Sequence, residues 1–309
     1  KVHRPEVFDY SKMYSSPFWS STSNNVYNTR DLNLVVGNTV IESPSHLESR
    51  FYETTAIYPI WYDYLKEGFT AVKFDPVMPM SAFDPRQLSL EALDNAELVT
   101  KNIREAVGSK CDLLIGTHGQ LTPASAVRLA KRLEKFDPLW FEEPVPPGQS
   151  SAMAEVASKT SIPVATGERL TTKYEFFDIL KNNSASIIQM NLGRVGGILE
   201  AKKIASLAEV FYAQIAPHIY NGPVGAAASI QLATATPNFL IMESIGTWDG
   251  FHSDVLMEPL NWIKGNIIPS DKPGLGIDLN LKVIEANSPY KGKKLHLSMD
   301  TKPYYADDD

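Results

Sequence analysis

Short apolar runs alternate with helical segments through the second half of the chain, and each run ends in a polar residue. The runs read CDLLIGTH, PLWFEE, PVATGE, SIIQMN, QIAPH and FLIME. The polar residues at their ends are separated by 24, 26, 23, 27 and 25 positions, and they are His118, Glu142, Glu168, Asn191, His218 and Glu243. A strand, a helix and two short loops take about 25 residues, so this spacing predicts a repeated β/α unit.

The repeat predicts an α/β fold of the TIM-type (β/α)8 barrel class. The chain has 309 residues, and one such barrel needs about 250. Near-continuous apolar strands such as SIIQM indicate a parallel sheet covered on both faces. We predict an irregular strap or linker over residues 1–24, the barrel over 25–246 and a C-terminal extension packing on it over 247–309. In such a barrel the polar strand ends meet at one mouth, where active sites lie.

The same pattern predicts the individual elements. The first two strands are expected over residues 25–29 and 69–74, with a helix over 55–67 between them. A long amphipathic helix over residues 89–107 has Ser89 as its N-cap. Further helices between the strands are predicted over 123–135, 151–159, 172–182, 197–211 and 223–235. After Ser244 the pattern stops, apart from a short amphipathic piece near 254–263.

Composition narrows the classes of function. A net charge of -7 argues against nucleic-acid binding, which normally uses a basic face. No apolar stretch approaches the roughly 18 residues of a membrane span. The single cysteine, Cys111, begins an apolar strand and cannot form an internal disulfide, so we expect a buried, inert thiol in a reduced, cytoplasmic compartment.

The strand-end residues are candidates for chemistry. Glu142 and Glu168 can coordinate a hard cation such as Mg2+, which prefers oxygen ligands, although either could instead pair with a loop Lys or Arg. Neutral His218 can accept a proton near pH 7, or it is a structural histidine. His118 can be an acid, a metal ligand or a hydrogen-bond donor. Lys73 can bind a substrate carboxylate, act as a base, or be an ordinary rim lysine.

Five of these motifs together resemble a known family. WFEEP, the Glu of ATGERL, IIQMNLGRVGGI, APH and IMES are similar to the mandelate racemase branch of the enolase superfamily, and most of all to its galactonate dehydratase-like acid-sugar dehydratases. The similarity runs from about Val26 to Asp278. It implies Mg2+ held by three acidic ligands, removal of the proton α to a carboxylate, and loss of a β-hydroxyl as water. An aldonate or aldarate substrate and a homo-oligomer are also implied.

The resemblance implies a role for each matching residue. Glu142 and Glu168 match the second and third metal ligands, His218 the general base, and His118 the general acid. Glu243 matches the acid that hydrogen-bonds the substrate carboxylate. We predict a substrate contact for Arg169 as well, and a catalytic or carboxylate-binding role for Lys73. Asn191 stands where the base normally has an aspartate partner, so His218 is expected to be a weaker base.

Three further departures bear on the activity. The first metal ligand is expected 26 residues before Glu142, where this chain has Gly116, so that either His118 or a water completes the shell or metal binding is weakened. Asp75 replaces the second lysine of the family's Lys-x-Lys. The α+β capping domain expected ahead of Val26 is not found. We predict a Mg2+-dependent acid-sugar dehydratase. The alternatives are a non-catalytic barrel that binds a ligand or partner, and a racemase or cycloisomerase with Lys73 as second base.

Overall fold

A computed structural model of the chain describes residues 70–77, 85–244 and 247–287, together with Gly68 and four short strands nearer the N terminus. These strands are β1 (Met13–Ser15), β2 (Ser20–Thr22), β3 (Asn33–Val36) and β4 (Thr39–Glu42). They form two antiparallel pairs, β1 with β2 and β3 with β4. The first pair lies inside the segment 1–24 that was predicted to be irregular. The strand predicted at 25–29 and the helix predicted at 55–67 lie outside the described residues.

Six parallel strands form the central sheet. They are β5 (Ala71–Phe74), β6 (Asp112–Gly116), β7 (Trp140–Glu142), β8 (Val164–Thr166), β9 (Ile187–Ile188) and β10 (Gln214–Ile215). Each strand pairs with the next one along the chain. A parallel bridge from Ile215 to Phe239 adds the FLIME run beside β10. Sequential parallel order with helical crossovers is the order of a (β/α)8 barrel, so the predicted fold class is confirmed.

Helices follow the strands as predicted. They are α1 (Leu90–Val107), α2 (Pro123–Leu133), α3 (Ser150–Ala157), α4 (Lys173–Lys181), α5 (Leu192–Val195), α6 (Ile198–Val210) and α7 (Pro223–Thr234). Local sequence explains several starts, because Ser89, Thr122 and Thr172 each accept a backbone N–H of the first turn. Helix α5 was not predicted; the Asn191 side chain caps it by accepting from the Gly193 N–H.

Alternate strand residues face two different apolar clusters, because successive side chains of a strand point to opposite faces. One cluster lies between the sheet and the helices, and its strand residues include Val72, Leu113, Phe141, Val164, Ile188 and Ile215. The other cluster lies on the opposite face of the sheet and consists of Leu114, Trp140, Ala165, Ile187 and Ala216. Both faces are therefore buried, which explains why the strands read as continuous apolar runs.

The segment after the barrel repeat packs on the loops near α7. It contains α8 (Phe251–Asp254), the antiparallel pair β11 (Trp262–Ile263) and β12 (Asn266–Ile267), and α9 (Leu281–Asn287). Trp248 and Trp262 stack against each other and against Ile219. The short amphipathic piece predicted near 254–263 begins at the last residue of α8 and ends in β11. The division at residues 24 and 246 stays a prediction. No described helix has the length and apolarity to cross a membrane.

Candidate active site

Strand alternation delivers the polar residues to the mouth of the barrel. The inward-facing positions Trp140, Ile187 and Ala216 form the inner apolar cluster. Two positions further along each of these runs, on the same face, are Glu142, Gln189 and His218. Ala71, Leu114 and Ile241 also belong to this cluster or pack on it. Two positions after them, on the same face, are Lys73, Gly116 and Glu243. The barrel mouth is thus lined by a layer of polar side chains that lies directly above the inner apolar cluster.

The Lys73 ammonium lies between two carboxylates of this layer. Its Nζ is 2.6 Å from Oε1 of Glu142 and 3.0 Å from Oε1 of Glu243. The Glu142 side chain is 2% exposed and that of Lys73 is 24% exposed, so the first contact is well shielded from water. Burial disfavours the charged lysine, but Glu142 and Glu243 outweigh it and hold the pKa of Lys73 above its ordinary value. Lys73 is therefore a fixed positive charge.

Gly116 makes room for this lysine. The two residues lie on the neighbouring strands β5 and β6, where Lys73 pairs with Leu114, two residues before Gly116. A Cβ atom added at Gly116 would be 2.9 Å from Cε and 3.3 Å from Cγ of Lys73. Any side chain at position 116 would therefore press on the stem of Lys73.

His218 joins a third carboxylate to the group. Its Nε2 lies 3.3 Å from Oε2 of Glu168 and 3.6 Å from Oε2 of Glu243. On the other side of the ring, Nδ1 lies 2.9 Å from Nδ2 of Asn191. Glu243 is further fixed by the backbone N–H of Ile219, which donates to Oε2 at 2.9 Å. One line of contacts thus runs from Glu142 through Lys73, Glu243 and His218 to Glu168.

Gln189 is a site residue that the sequence reasoning missed. Its Nε2 donates to Oε2 of Glu142 at 2.7 Å, and its buried Oε1 has no hydrogen-bond partner among the described residues. Both oxygens of Glu142 are therefore engaged, one by Gln189 and one by Lys73. The signal was available, because Gln189 is a polar residue inside the apolar run SIIQMN, two positions after an inward-facing isoleucine.

His118 has a carboxylate neighbour of its own. Oδ2 of Asp75 lies 4.0 Å from Nδ1 of His118, and it also accepts from Nε2 of Gln120 at 2.7 Å. Asp75 raises the pKa of His118, which favours the protonated imidazole. Burial raises the pKa of Asp75 itself, opposed by the nearby His118 and by hydrogen bonds that the Val77 N–H and the Gln120 amide donate. His118 is half exposed and is equipped to supply a proton at the mouth.

Arg169 binds a buried carboxylate and a backbone carbonyl of the chain itself. Its Nε donates to Oε2 of the fully buried Glu143 at 2.8 Å, and Nη2 lies 2.6 Å from the same oxygen. Nη2 also donates to the backbone carbonyl of His118 at 3.0 Å. His118 and Glu143 both have positive φ, at 33° and 38°, in the region that non-glycine residues rarely adopt. These contacts indicate a positioning role for Arg169, and its predicted substrate contact stays a prediction.

The three-carboxylate set implied for Mg2+ is not formed by the residues present. Among the described residues, no group of three or more His, Cys, Asp or Glu side chains is arranged to hold a metal ion. Gly116 offers no ligand, and both oxygens of Glu142 are in use. The predicted ligands Glu142 and Glu168 do lie at the same mouth, linked through Lys73, Glu243 and His218. Their donor set, however, does not fit a resident divalent cation.

Comparison with known proteins gives the family. The model of the enolase C-terminal domain-like family matches residues 62–283. A Burkholderia SAR-1 structure of the mandelate racemase/muconate lactonizing enzyme group is 66% identical and has a TM-score of 0.72, covering 78% of this chain and 60% of that one. D-xylonate dehydratase of Haloferax volcanii is 35% identical over 223 residues, which is 71% of this chain and 54% of the relative.

D-galactonate dehydratase of Xanthomonas euvesicatoria is 34% identical over 229 residues, covering 72% of this chain and 59% of the relative. The chain thus spans between half and two thirds of the length of these two dehydratases. Members of the superfamily are TIM barrels that generally use Mg2+. The matched region contains every residue of the site described above. The chain belongs to the enolase C-terminal domain-like family, within the mandelate racemase and muconate lactonizing enzyme group.

Proposed function

We propose that this chain is an acid-sugar dehydratase of the enolase superfamily, acting on an aldonate or aldarate. One observation carries the proposal, namely the unbroken line of contacts from Glu142 through Lys73, Glu243 and His218 to Glu168 at the barrel mouth. It brings a cation, a histidine and three carboxylates to one place. The relatives named as D-xylonate and D-galactonate dehydratases support the same class of reaction.

The proposed reaction uses two histidines. The C–H bond α to the substrate carboxylate breaks, its proton moves to Nε2 of His218, and the electron pair enters the carboxylate as an enediolate. The pair then returns to form a carbon–carbon double bond while the β-carbon–oxygen bond breaks. His118 gives its proton to the leaving hydroxide, which departs as water. The resulting enol becomes a 2-keto-3-deoxy acid, and exchange with solvent resets both histidines.

The remaining predicted roles concern substrate binding and the cofactor. Lys73 is the proposed contact of the substrate carboxylate, as a cation. Glu243 stays a predicted contact that requires its protonated form, whereas burial is outweighed by Lys73 and His218, which hold the pKa of Glu243 below its ordinary value. Because charge develops on that carboxylate during the reaction, a fixed positive group beside it lowers the barrier. Mg2+ dependence stays a prediction, and the donor set of the site does not support it. The homo-oligomer also stays a prediction.

A product assay tests the proposal. The purified chain is incubated with a panel of acid sugars that begins with D-galactonate, D-xylonate and D-gluconate, in Mg2+ and separately in EDTA. Formation of a 2-keto-3-deoxy acid is followed with semicarbazide. We expect turnover of at least one substrate and a loss of about 100-fold or more in His218→Ala, the range typical of a lost general base. Absence of product from the whole panel under both conditions contradicts the proposal.

A second candidate is a barrel that binds an acid sugar without converting it. The observation that favours it is the Asn191 amide, which presents a donor to Nδ1 of His218 and so leaves the ring proton on Nε2. Calorimetric titration with D-galactonate separates the two candidates. Saturable binding without product formation supports the binding protein, whereas binding followed by turnover supports the dehydratase.

The racemase or cycloisomerase alternative finds less support. A racemase needs a second base on the opposite face of the substrate, and Lys73 was the candidate. A base must be unprotonated, but Lys73 lies between Glu142 and Glu243, which favour the ammonium. Deuterium incorporation without loss of water, in the assay above run in D2O, is the outcome that would restore this alternative.

A further inference from the structure

We propose that the Lys73 ammonium is the resident cation of this site, in the place where the family's divalent ion would be expected, so that the chain works on a carboxylate without bound Mg2+. The proposal deepens the function proposed above and rests on it only for the identity of the ligand. It concerns one group, Nζ of Lys73, and one vacated side-chain position, Gly116. Three independent features of the described residues support it.

The first feature is the position of the charge. Nζ of Lys73 lies 2.6 Å from Oε1 of Glu142 and 3.0 Å from Oε1 of Glu243. Glu142 is one of the two carboxylates expected to bind metal. A divalent ion bound to Glu142 through Oε1 would have to share that oxygen with an ammonium at contact distance. Two positive charges there repel each other, so the lysine and the metal exclude one another.

The second feature is the coupling between Gly116 and Lys73. An aspartate at position 116 would supply the third metal ligand, but its Cβ would lie 2.9 Å from Cε of Lys73. The missing side chain therefore has two consequences at once: it removes a ligand, and it opens the space that the lysine stem occupies. Gly116 and Lys73 therefore act together. The glycine leaves the site one ligand short, and the lysine supplies a positive charge in place of the metal.

The third feature is Gln189, which satisfies the remaining oxygen of Glu142. Its Nε2 donates to Oε2 of Glu142 at 2.7 Å, within a side-chain environment that is almost fully buried. A carboxylate that accepts from an ammonium and from an amide has both oxygens occupied by donors. Each oxygen of Glu142 thus has a donor, and the ammonium of Lys73 balances its negative charge without a metal.

The ammonium is also suited to the chemistry. An ammonium has three N–H donors, and within the described part of the chain the two contacts of Nζ use two of them. The third can donate to a substrate carboxylate. The enediolate that forms on losing a proton to His218 places a second negative charge on that carboxylate, and a fixed ammonium stabilises it as the charge develops. Because the side chain is still 24% exposed, a ligand can reach it.

Metal titration tests this inference directly. Mn2+ has the same preference for oxygen ligands as Mg2+, and electron paramagnetic resonance measures its free concentration. The unaltered chain is expected to show no saturable site. The double variant Lys73→Ala with Gly116→Asp restores three carboxylates and removes the competing charge, so we expect it to show one saturable Mn2+ site. Its affinity should exceed any affinity of the unaltered chain by on the order of tenfold or more. Lys73→Ala alone is measured too, in case the double variant does not fold.

Lys272→Ala is the matched control. Lys272 also pairs with a glutamate, Glu258, at 2.7 Å, but it is exposed and far along the chain from the barrel mouth. This variant should titrate with Mn2+ like the unaltered chain. The inference is overturned if the unaltered chain binds one Mn2+ saturably and Lys73→Ala leaves that affinity the same or weakens it.

Ligand binding in EDTA supplies a second readout. Calorimetric titration with D-galactonate should give saturable binding to the unaltered chain and to Lys272→Ala, and on the order of tenfold weaker binding to Lys73→Ala. Equal affinity in all three contradicts the role of Lys73. Neither titration depends on turnover. Absence of product from the whole panel would therefore contradict the dehydratase proposal but not the Lys73 inference. A tight metal site in the unaltered chain would contradict the Lys73 inference but not the dehydratase proposal.

Discussion

The side-chain amide of Asn191 presents its nitrogen, not its oxygen, to His218. Nδ2 lies 2.9 Å from Nδ1 of the imidazole, while Oδ1 accepts the backbone N–H of Gly193 at 2.9 Å. A backbone N–H can only donate, so the atom facing Gly193 must be the oxygen. The amide therefore donates to Nδ1, and the neutral ring carries its proton on Nε2, toward Glu168 and Glu243.

This tautomer is the wrong one for a base at Nε2. Accepting the substrate proton there requires the proton to lie on Nδ1, which faces a donor in the resting structure. Losing that hydrogen bond costs about 1–3 kcal/mol, and the competent fraction of the enzyme falls accordingly. An aspartate at position 191 would accept from Nδ1–H and leave Nε2 bare. Asn191 is thus expected to limit the rate of proton removal.

Asn191→Asp should therefore raise kcat, by about tenfold or more, with little change in KM. Nitrogen NMR of His218 should show the proton moving from Nε2 to Nδ1. Asn191→Ala is the comparison variant, because it removes the donor without adding an acceptor and should give only part of the gain. If Asn191→Asp leaves both kcat and the ring tautomer unchanged, the amide does not set the state of His218.

Asp75→Asn should narrow the pH range of activity from the alkaline side. Asp75 raises the pKa of His118, so the protonated acid persists to higher pH than an isolated histidine would allow. Without the carboxylate that pKa falls, and the alkaline limb of the kcat profile moves to lower pH while the acid limb stays in place. The exposed Asp112, at the far end of β6, provides the control Asp112→Asn. An unmoved alkaline limb would show that His118 is not the acid.

Spacing along the sequence predicted which residues would share the barrel mouth. Glu142, Glu168, His218 and Glu243 follow strands of a parallel sheet, and such strands all end at one edge, so their convergence needs no knowledge of side-chain direction. The six helices from α1 to α7, leaving out α5, were predicted to within two residues at each end, because caps and amphipathic spacing are local signals.

Contacts between side chains could not be predicted from the sequence in the same way. Arg169 follows a predicted metal ligand, yet it binds Glu143 and the carbonyl of His118, since the rotamer of a loop residue depends on neighbours far away in sequence. The link between Gln189 and Glu142 joins residues 47 positions apart. Periodicity specifies the strand face of each residue, but it does not say which polar neighbour the residue will bind.

Arg169→Ala should destabilise the fold in a pH-dependent way. Burial raises the pKa of Glu143 to about 7, against the pull of Arg169. Removing the cation raises that pKa further, so at pH 8 a buried carboxylate is left unpaired or must take up a proton. At pH 5 the carboxyl is protonated in either protein, and the difference shrinks. We expect a loss of about 3 kcal/mol at pH 8 and a smaller loss at pH 5, by urea unfolding.

The direction of this pH dependence follows from the proton that Glu143 takes up on folding. A carboxyl whose pKa is higher in the folded than in the unfolded state loses stability as the pH rises through that interval. Adding Glu143→Gln to Arg169→Ala removes the titrating group and should abolish the pH dependence of the loss. A loss that is the same at pH 5 and pH 8 would mean that Arg169 acts through packing alone.

Gly119→Ala should disturb the support of His118 by steric overlap. Gly119 has φ at 69°, in the left-handed region, and an added Cβ would lie 2.3 Å from Nη2 of Arg169 and 3.0 Å from the backbone of Pro146. The guanidinium would have to leave Glu143 or the carbonyl of His118. We expect a loss of about 2 kcal/mol or more in the free energy of unfolding, together with lower kcat.

Gly148→Ala is the matched control for this substitution, because no atom of the described part of the chain lies within 4 Å of its added Cβ and its φ is not positive. Alanine there should be neutral or stabilising by up to about 1 kcal/mol, since it reduces the freedom of the unfolded chain. Urea unfolding of both variants, with turnover measured beside it, separates the two effects. Should Gly119→Ala unfold like Gly148→Ala and retain full activity, Arg169 would not depend on this close approach, and its proposed hold on His118 would have to be abandoned.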